Sequence, residues 1–501
     1  MAHDSSLTRR NLFRLVAGAG GVVGAVASGD LNAASGPRPR NIIFMVADGM
    51  SAGLPSLAEP FSRLIRGRGT RWTNLARDPG TAHGWCDTRS LGSLVTDSSA
   101  ASSAWATGSQ VMNGAVNVLP DGRRLTPIGV LARQSGRRLG LVTTTTITHA
   151  TPAGFVAVEP SRDQEDAIAL QYLNAADVLL GGGRQFFDGS RRRDRVDLLA
   201  KFRAAGYDVC DSRATLLGPR AGKRLLGLFA HGHLPYVIDA SADAAAASGV
   251  PTLAEMTTAA LDLLGGARGG FLLQVEGGRV DHAAHVNDAA AALRELLAFD
   301  DALGVALDYA RRTRDTLVVV TSDHGNSNPG LNGIGEDYAG STRGLELLAK
   351  IEASSGSILE QIRLGRDSLK RVSAAFASDV VRDRCGIGLS ADDAATLAAA
   401  VGGPLPPEVN KQHANAAGIL AEVLGNYTGI GWTGMSHTAD FTMVLAVGAG
   451  QERFAGLRRN TETFGALTGL LGISFVNPEM SSVDAHRYVA TSTDGPAPHW
   501  V

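Results

Sequence analysis

Three apolar runs of this chain end on groups that bind metal ions. Asp48 follows "NIIFMVA", Glu276 ends "FLLQVE" with Asp281 close behind, and the pair Asp323 and His324 follows "TLVVVTS". Carboxylate oxygen together with imidazole nitrogen suits zinc, whereas an oxygen-rich set suits magnesium. A fourth stretch, "VTDSSAASSAWATG" from Val95 to Gly108, crowds hydroxyl side chains around one carboxylate. It reads either as the start of a small-residue helix, where Ser, Thr and Asp cap backbone N–H groups, or as the seat of a nucleophile.

Taken singly, most of these groups have a structural reading. Asp48 before Gly49 is a common turn pair. Asp281 and His285 stand four apart, so on a helix they share a face and converge on one ion, or decorate a surface. Asp323 and His324 differ, because two polar groups at the end of an apolar strand are costly to bury without a function.

The elements that must position them follow from the hydropathy pattern. Continuous apolar runs at 41–49, 138–145, 271–278, 316–325 and 442–450 predict buried strands, and helical patterns over Asp163–Ala175, Asp194–Ala205, Thr252–Leu264 and Asp288–Ala310 lie among them. That alternation predicts an α/β fold, a three-layer α/β/α sandwich with a mostly parallel central sheet. Ligands of such sheets gather beyond the carboxyl ends of the strands, where these candidate residues fall. The rhythm breaks over about 330–436, which reads as an inserted subdomain within one domain spanning 40–501.

The 501 residues are 44% apolar and 19% charged with net charge −2, so nothing points to nucleic acid or another polyanionic partner. The N-terminus departs from this average. Arg9 and Arg10 precede a glycine-rich apolar run from Leu15 to about Ser28, which then gives way to small residues. This is the pattern of a twin-arginine signal over residues 1–34, with cleavage near Ala33 or Ala34 and the twin-arginine export machinery as a partner. The run is too short for a stable span, and no second run of about 20 apolar residues follows, so the expected product is soluble and periplasmic or secreted, without a membrane anchor. Cys86, Cys210 and Cys385 lack metal-type spacing and read as structural.

Together, "NIIFMVADGM", "VTDSSAASSAWATG", "THATPAGF", "VEGGRVDHAAH", "TSDHG" and "SHTAD", in that order, resemble the alkaline phosphatase family from about residue 40 to the C-terminal region. The resemblance implies a phosphomonoesterase acting on small phosphomonoester substrates, with two Zn2+ ions and one Mg2+. Carried over by position, Asp281, His285 and His437 hold one zinc, Asp48, Asp323 and His324 the other, and Asp48, Thr151 and Glu276 the magnesium. Ser98, just after Asp97, matches the nucleophile that forms a phosphoserine, and Arg162 matches the phosphate-binding arginine. Family members are often homodimers, and a homodimer is the assembly this implies.

The chemistry accounts for these types. A phosphate monoester is a poor electrophile surrounded by negative charge, so attack needs an ionised nucleophile and compensating positive charge. The planar fork of an arginine donates two hydrogen bonds to phosphoryl oxygens, which a lysine does less well. His149 and His282 stand where some family members carry an aspartate near magnesium and a lysine near phosphate, so both are expected just outside the ligand shell. His231 and His233 read as a loop packed by Phe229 and Pro235, and Arg191 to Arg195 as a solvated face. A phosphodiesterase usually resembles a threonine nucleophile, and a sulfatase needs a residue converted to formylglycine. Neither fits "TDSSA" as well, and a non-catalytic exported phosphate or metal binder would not need the complete ligand and nucleophile set.

Overall fold

Strand β1 (Asn41–Ala47) sends Ile43, Met45 and Ala47 into one apolar core and Ile42, Phe44 and Val46 into another, all fully buried. A strand covered on both faces must be apolar throughout, which is why its sequence runs without polar alternation. The computed structural model describes residues 38–219, 223–242, 249–403 and 410–489. The export signal expected over 1–34 lies outside them.

Ten strands form one sheet. In chain order they are β1, β2 (Ala82–Asp87), β3 (Arg138–Thr146), β4 (Val178–Gly182), β5 (Tyr207–Cys210), β6 (Arg224–Leu228), β7 (Phe271–Gly277), β8 (Thr316–Thr321), β9 (Thr442–Gly448) and β10 (Gly456–Arg459). Their spatial order is β10-β2-β9-β8-β1-β7-β3-β4-β6-β5. Every neighbouring pair is parallel except those of β9, which runs against both β8 and β2. All five predicted strands are present and the sheet is mostly parallel, as expected. The five unpredicted strands have four to six residues each, too few for a distinct periodicity.

Helices cover both faces. The helix α4 (Leu253–Leu264) starts at a capping box between Thr252 and Glu255, and α6 (Ala289–Arg312) starts where Asp288 accepts a hydrogen bond from Ala291 N–H. Both match the predicted spans, whereas the helix expected over 194–205 shrinks to Leu198–Ala204, capped by Asp197. The residues before it form a loop around Arg192. That arginine is fully buried, bonded to Asp194 and to the carbonyls of Asp166 and Phe186, so the solvated-face reading holds for the exposed Arg191, Arg193 and Arg195 and fails for Arg192.

Between β8 and β9 the chain makes the helices Ser341–Ala349, Ser355–Leu364, Ala374–Cys385, Ala391–Gly402 and Ala416–Thr428. An antiparallel pair, Gly330–Leu331 against Ile430–Gly431, brings the two ends of this segment together. Its Leu345, Ile358 and Leu420 share one core with α4 and α6. The three cysteines are buried and none of them forms a disulfide among the described residues.

Candidate active site and metal centre

The four central strands stand in the order β8, β1, β7, β3, and this adjacency gathers the candidate residues. Val46 of β1 pairs with Thr321 on one side and Glu276 on the other, and Glu276 pairs in turn with Thr143 of β3. Asp48, Glu276, Asp323 and His324 therefore emerge side by side at the carboxyl ends of the strands, although their sequence positions span hundreds of residues. Gly49 has φ +66°, and a Cβ there would collide with the side chain and backbone of Asp281. The Asp48–Gly49 turn is thus a close approach between two functional segments, with Gly49 N–H donating to Asp323 Oδ1 at 3.0 Å.

His437 comes from a distant segment. It pairs with Asn326 in a short antiparallel ribbon, and its ring stacks on His324 with centroids 3.6 Å apart. On the helix α5 (Arg279–Ala284), Asp281 stands on the first turn, and His285 caps the end. His285 Nε2 lies 2.9 Å from His437 Nε2 and 3.4 Å from Asp281 Oδ2. Carbonyl oxygens orient both rings, Met435 O accepting from His285 Nδ1 at 3.0 Å and Thr96 O from His437 Nδ1 at 2.8 Å, which turns each Nε2 towards the centre.

Among the described residues, three overlapping groups have ligand atoms within 4.8 Å of one another: Asp281 with His324 and His437; Asp48 with Asp323 and His324; and Asp48 with His149 and Glu276. The second is the set expected from the sequence. The first holds His324 where His285 is expected, although His285 Nε2 itself adjoins His437 and Asp281, and the third holds His149 where Thr151 is expected, the buried Thr151 Oγ1 having no hydrogen-bond partner. Both oxygens of Asp48, Oε1 of Glu276 and Oδ2 of Asp323 are buried without a hydrogen-bond partner. Buried carboxylates without compensation are strongly disfavoured, so the donor set fits divalent cations.

The ionisation pattern has the same cause. Burial, reinforced by neighbouring Asp323, Asp281 and Glu276, pushes Asp48 well above the usual carboxylate range. Burial likewise pushes Asp323 up to about 7 and raises Glu276. Asp281 moves the other way: burial works to raise it, but His285 beside it holds it well below its ordinary value. Burial keeps His324 and His437 below the usual imidazole value and therefore available as neutral ligands.

Ser98 is the first residue of the helix α2 (Ser98–Thr107), every residue of which is buried. Its Oγ lies 3.2 Å from His324 Nε2. Asp97 caps the helix, accepting from Ala100 N–H at 2.9 Å, so the cap falls on the residue before Ser98. The other hydroxyls are internal: Ser99 donates to Asp97, Ser102 to Thr151 O, and Ser103 accepts from Asn117 N–H.

Arg162 reaches this corner, its Nη1 3.2 Å from Asp97 Oδ2 and its Nη2 3.0 Å from His149 Nε2. His149, His282 and His233 stack edge to face, with centroids 4.5–5.6 Å apart. His231 and His233 lie in a loop, as expected, and neither joins a candidate ligand group among the described residues; His231 is exposed, whereas His233 turns inward, its Nδ1 accepting Thr146 N–H at 3.0 Å. Burial, then Arg279 and Arg162, lowers His233 to about 4; burial and then Arg279 hold His282 well below the usual imidazole value, and burial and then Arg162 do the same for His149.

The profile of the family described as "Alkaline phosphatase" matches residues 39–473. The chain belongs to the alkaline phosphatase family. The phosphatase is 31% identical over 434 residues to alkaline phosphatase 4 of Bacillus subtilis, covering 84% of this chain and 87% of that one. It is 33% identical over 377 residues to alkaline phosphatase 3 of the same organism, covering 74% and 75%. The crystal structure of Thermus thermophilus alkaline phosphatase superposes with a TM-score of 0.83 at 38% identity, covering 91% of this chain and 96% of that one. The enzyme is a phosphomonoester hydrolase of the same α/β architecture. No helix among its described residues is long and apolar enough to cross a membrane.

Sequence reasoning about the phosphatase passed over Thr143 and Asn326. Thr143 Oγ1 donates to Glu276 Oε2, and Asn326 Nδ2 to Asp281 Oδ1 at 2.6 Å. Asn326 stands directly after "TSDHG", so its proximity to that motif was the available signal. Nothing local marked Thr143.

Proposed function

We propose that this enzyme hydrolyses phosphate monoesters through a phosphoserine on Ser98, at a site taking two zinc ions and one magnesium. The observation that carries the reading is Ser98 Oγ, 3.2 Å from His324 Nε2 at the start of a buried ten-residue helix, beside carboxylates that lack partners. Asp281, His285 and His437 would hold one zinc, Asp48, Asp323 and His324 the other, and Asp48, Glu276 and Thr151 the magnesium, with His149 adjoining. Bound zinc would lower the pKa of the Ser98 hydroxyl and offset charge on the attacking and departing oxygens.

Ser98 Oγ forms the new bond to phosphorus as the bond to the ester oxygen breaks, and the alcohol leaves with a proton. Water then cleaves the serine phosphate, restoring the hydroxyl and releasing inorganic phosphate. The helix N-terminus at Ser98 favours the phosphoryl anion, and Arg162, steadied by Asp97 and His149, donates to its non-bridging oxygens. Export through the twin-arginine route and a homodimeric assembly belong to the same reading, the first carried by Arg9 and Arg10 ahead of an apolar run.

The test compares hydrolysis of a chromogenic monoester and diester, with the metal content of the purified protein measured alongside. The monoester should be strongly preferred and zinc present. Ser98→Ala should retain fold and metals but lose most turnover, and the parent should yield a trapped phosphoserine. Near-normal turnover in Ser98→Ala with no trapped phosphoserine in the parent would overturn the covalent route.

A further inference from the structure

Arg279 follows the glycine pair after Glu276, and its guanidinium lies 3.7 Å over the ring of Tyr236. Its Nη1 is 2.6 Å from His282 Nδ1. A guanidinium only donates, so Nδ1 of His282 accepts and the ring proton sits on Nε2. The backbone ties the arginine down as well, since Arg279 N–H donates to Thr144 Oγ1 at 3.1 Å. His282 in turn packs edge to face on His149, whose Nε2 accepts from Arg162.

We propose that Arg279, braced on the face of Tyr236, is a positioning residue that fixes His282 as a neutral donor through Nε2–H for an oxygen of the bound phosphate group. The inference rests on the reading of this corner as the phosphate-binding side of the site. Its physical content is tautomer control. A neutral imidazole alone divides its proton between two nitrogens, and a cationic donor held at Nδ1 removes one alternative. The same donor makes Nδ1 of His282 unavailable to a metal ion. Stacking on Tyr236 holds the guanidinium plane, which a flexible ammonium would not reproduce.

The experiment uses the full enzyme with its zinc and magnesium content verified, and inorganic phosphate as the probe. Arg279→Ala should raise the phosphate inhibition constant and KM by roughly three- to tenfold, the span of one lost hydrogen bond, with a smaller change in kcat. Arg279→Lys should recover part of that loss. Tyr236→Phe keeps the ring and should match the parent, whereas Tyr236→Leu should follow Arg279→Ala. In ¹⁵N-histidine spectra the parent should show His282 protonated at Nε2 alone, and Arg279→Ala a mixture of tautomers. If His282→Ala weakens phosphate inhibition and Arg279→Ala does not, the positioning role fails while the site reading stands. If His282→Ala leaves phosphate inhibition unchanged, the reading of this corner fails and the proposal with it. Equal phosphate affinity in Tyr236→Phe and Tyr236→Leu would remove the brace.

Discussion

Arg162 Nη1 lies 3.2 Å from Asp97 Oδ2, with both side chains nearly buried. The residue that caps α2 beside Ser98 therefore also holds the arginine that faces the same corner. Asp97 Oδ2 takes a further hydrogen bond from Gly114 N–H at 2.9 Å, so the carboxylate is anchored on three sides. A fork held this way loses little freedom when an anion arrives.

Arg162→Ala should accordingly weaken phosphate inhibition and substrate capture by roughly 1.5–3 kcal/mol, the scale for hydrogen bonds to charged groups. Its metals should stay bound, and turnover should fall less than in Ser98→Ala. Phosphate inhibition and kcat/KM, measured with zinc content verified, check this. An unchanged phosphate affinity would remove Arg162 from the site.

Replacing His437 or Asp323 should damage the reaction more than replacing His282. The first two offer ligand atoms to the candidate groups, whereas His282 touches Arg279 and the neighbouring imidazoles. Zinc content and kcat of the three alanine variants decide the ranking. Equal loss of turnover with zinc retained in His282→Ala would mean that His282 acts in the reaction directly.

Metal removal should make stability depend on pH in a defined direction. Asp323 sits at about 7 and Asp48 is also raised, so without cations both favour the protonated form. That contribution is complete below the ordinary carboxylate range of about 4 and is lost as pH rises through about 7. The chelated enzyme should therefore melt lower at about pH 8 than at about pH 5, and added zinc with magnesium should restore more at the higher pH. A Tm that does not respond to metal at either pH would contradict this.

Glu295 offers a second titration away from the ligands. Burial lifts it to about 7 although Val237 N–H donates to it. A raised carboxyl stabilises the fold fully below its unfolded value of 4.5 and loses that contribution as pH rises through about 7. Glu295→Gln keeps an acceptor for Val237 and should gain stability relative to the parent as pH rises from about 5 to 9, by at most roughly 3 kcal/mol. Denaturant midpoints of the two proteins at both pH values test it, and parallel pH curves would show that Glu295 does not titrate in this range.

How far the sequence alone reached follows from the range over which each signal acts. The runs around Ile43, Leu273 and Val318 announced buried strands because double-sided burial forbids polar alternation, and the groups at their ends marked the ligand side of an α/β sheet. The order of the six motifs carried the family, and with it Ser98 and Arg162. Tertiary structure decided what no local pattern records. The neighbour order β8, β1, β7, β3 set Asp323, Asp48, Glu276 and Thr143 in one row, and the reversed β9 left no trace in its own apolar run. His324 lies within reach of two ligand groups, and His233 turned inwards on a single backbone N–H. Residue type and short-range periodicity report whether a side chain is buried, whereas which buried side chains meet is set by pairings between segments hundreds of residues apart.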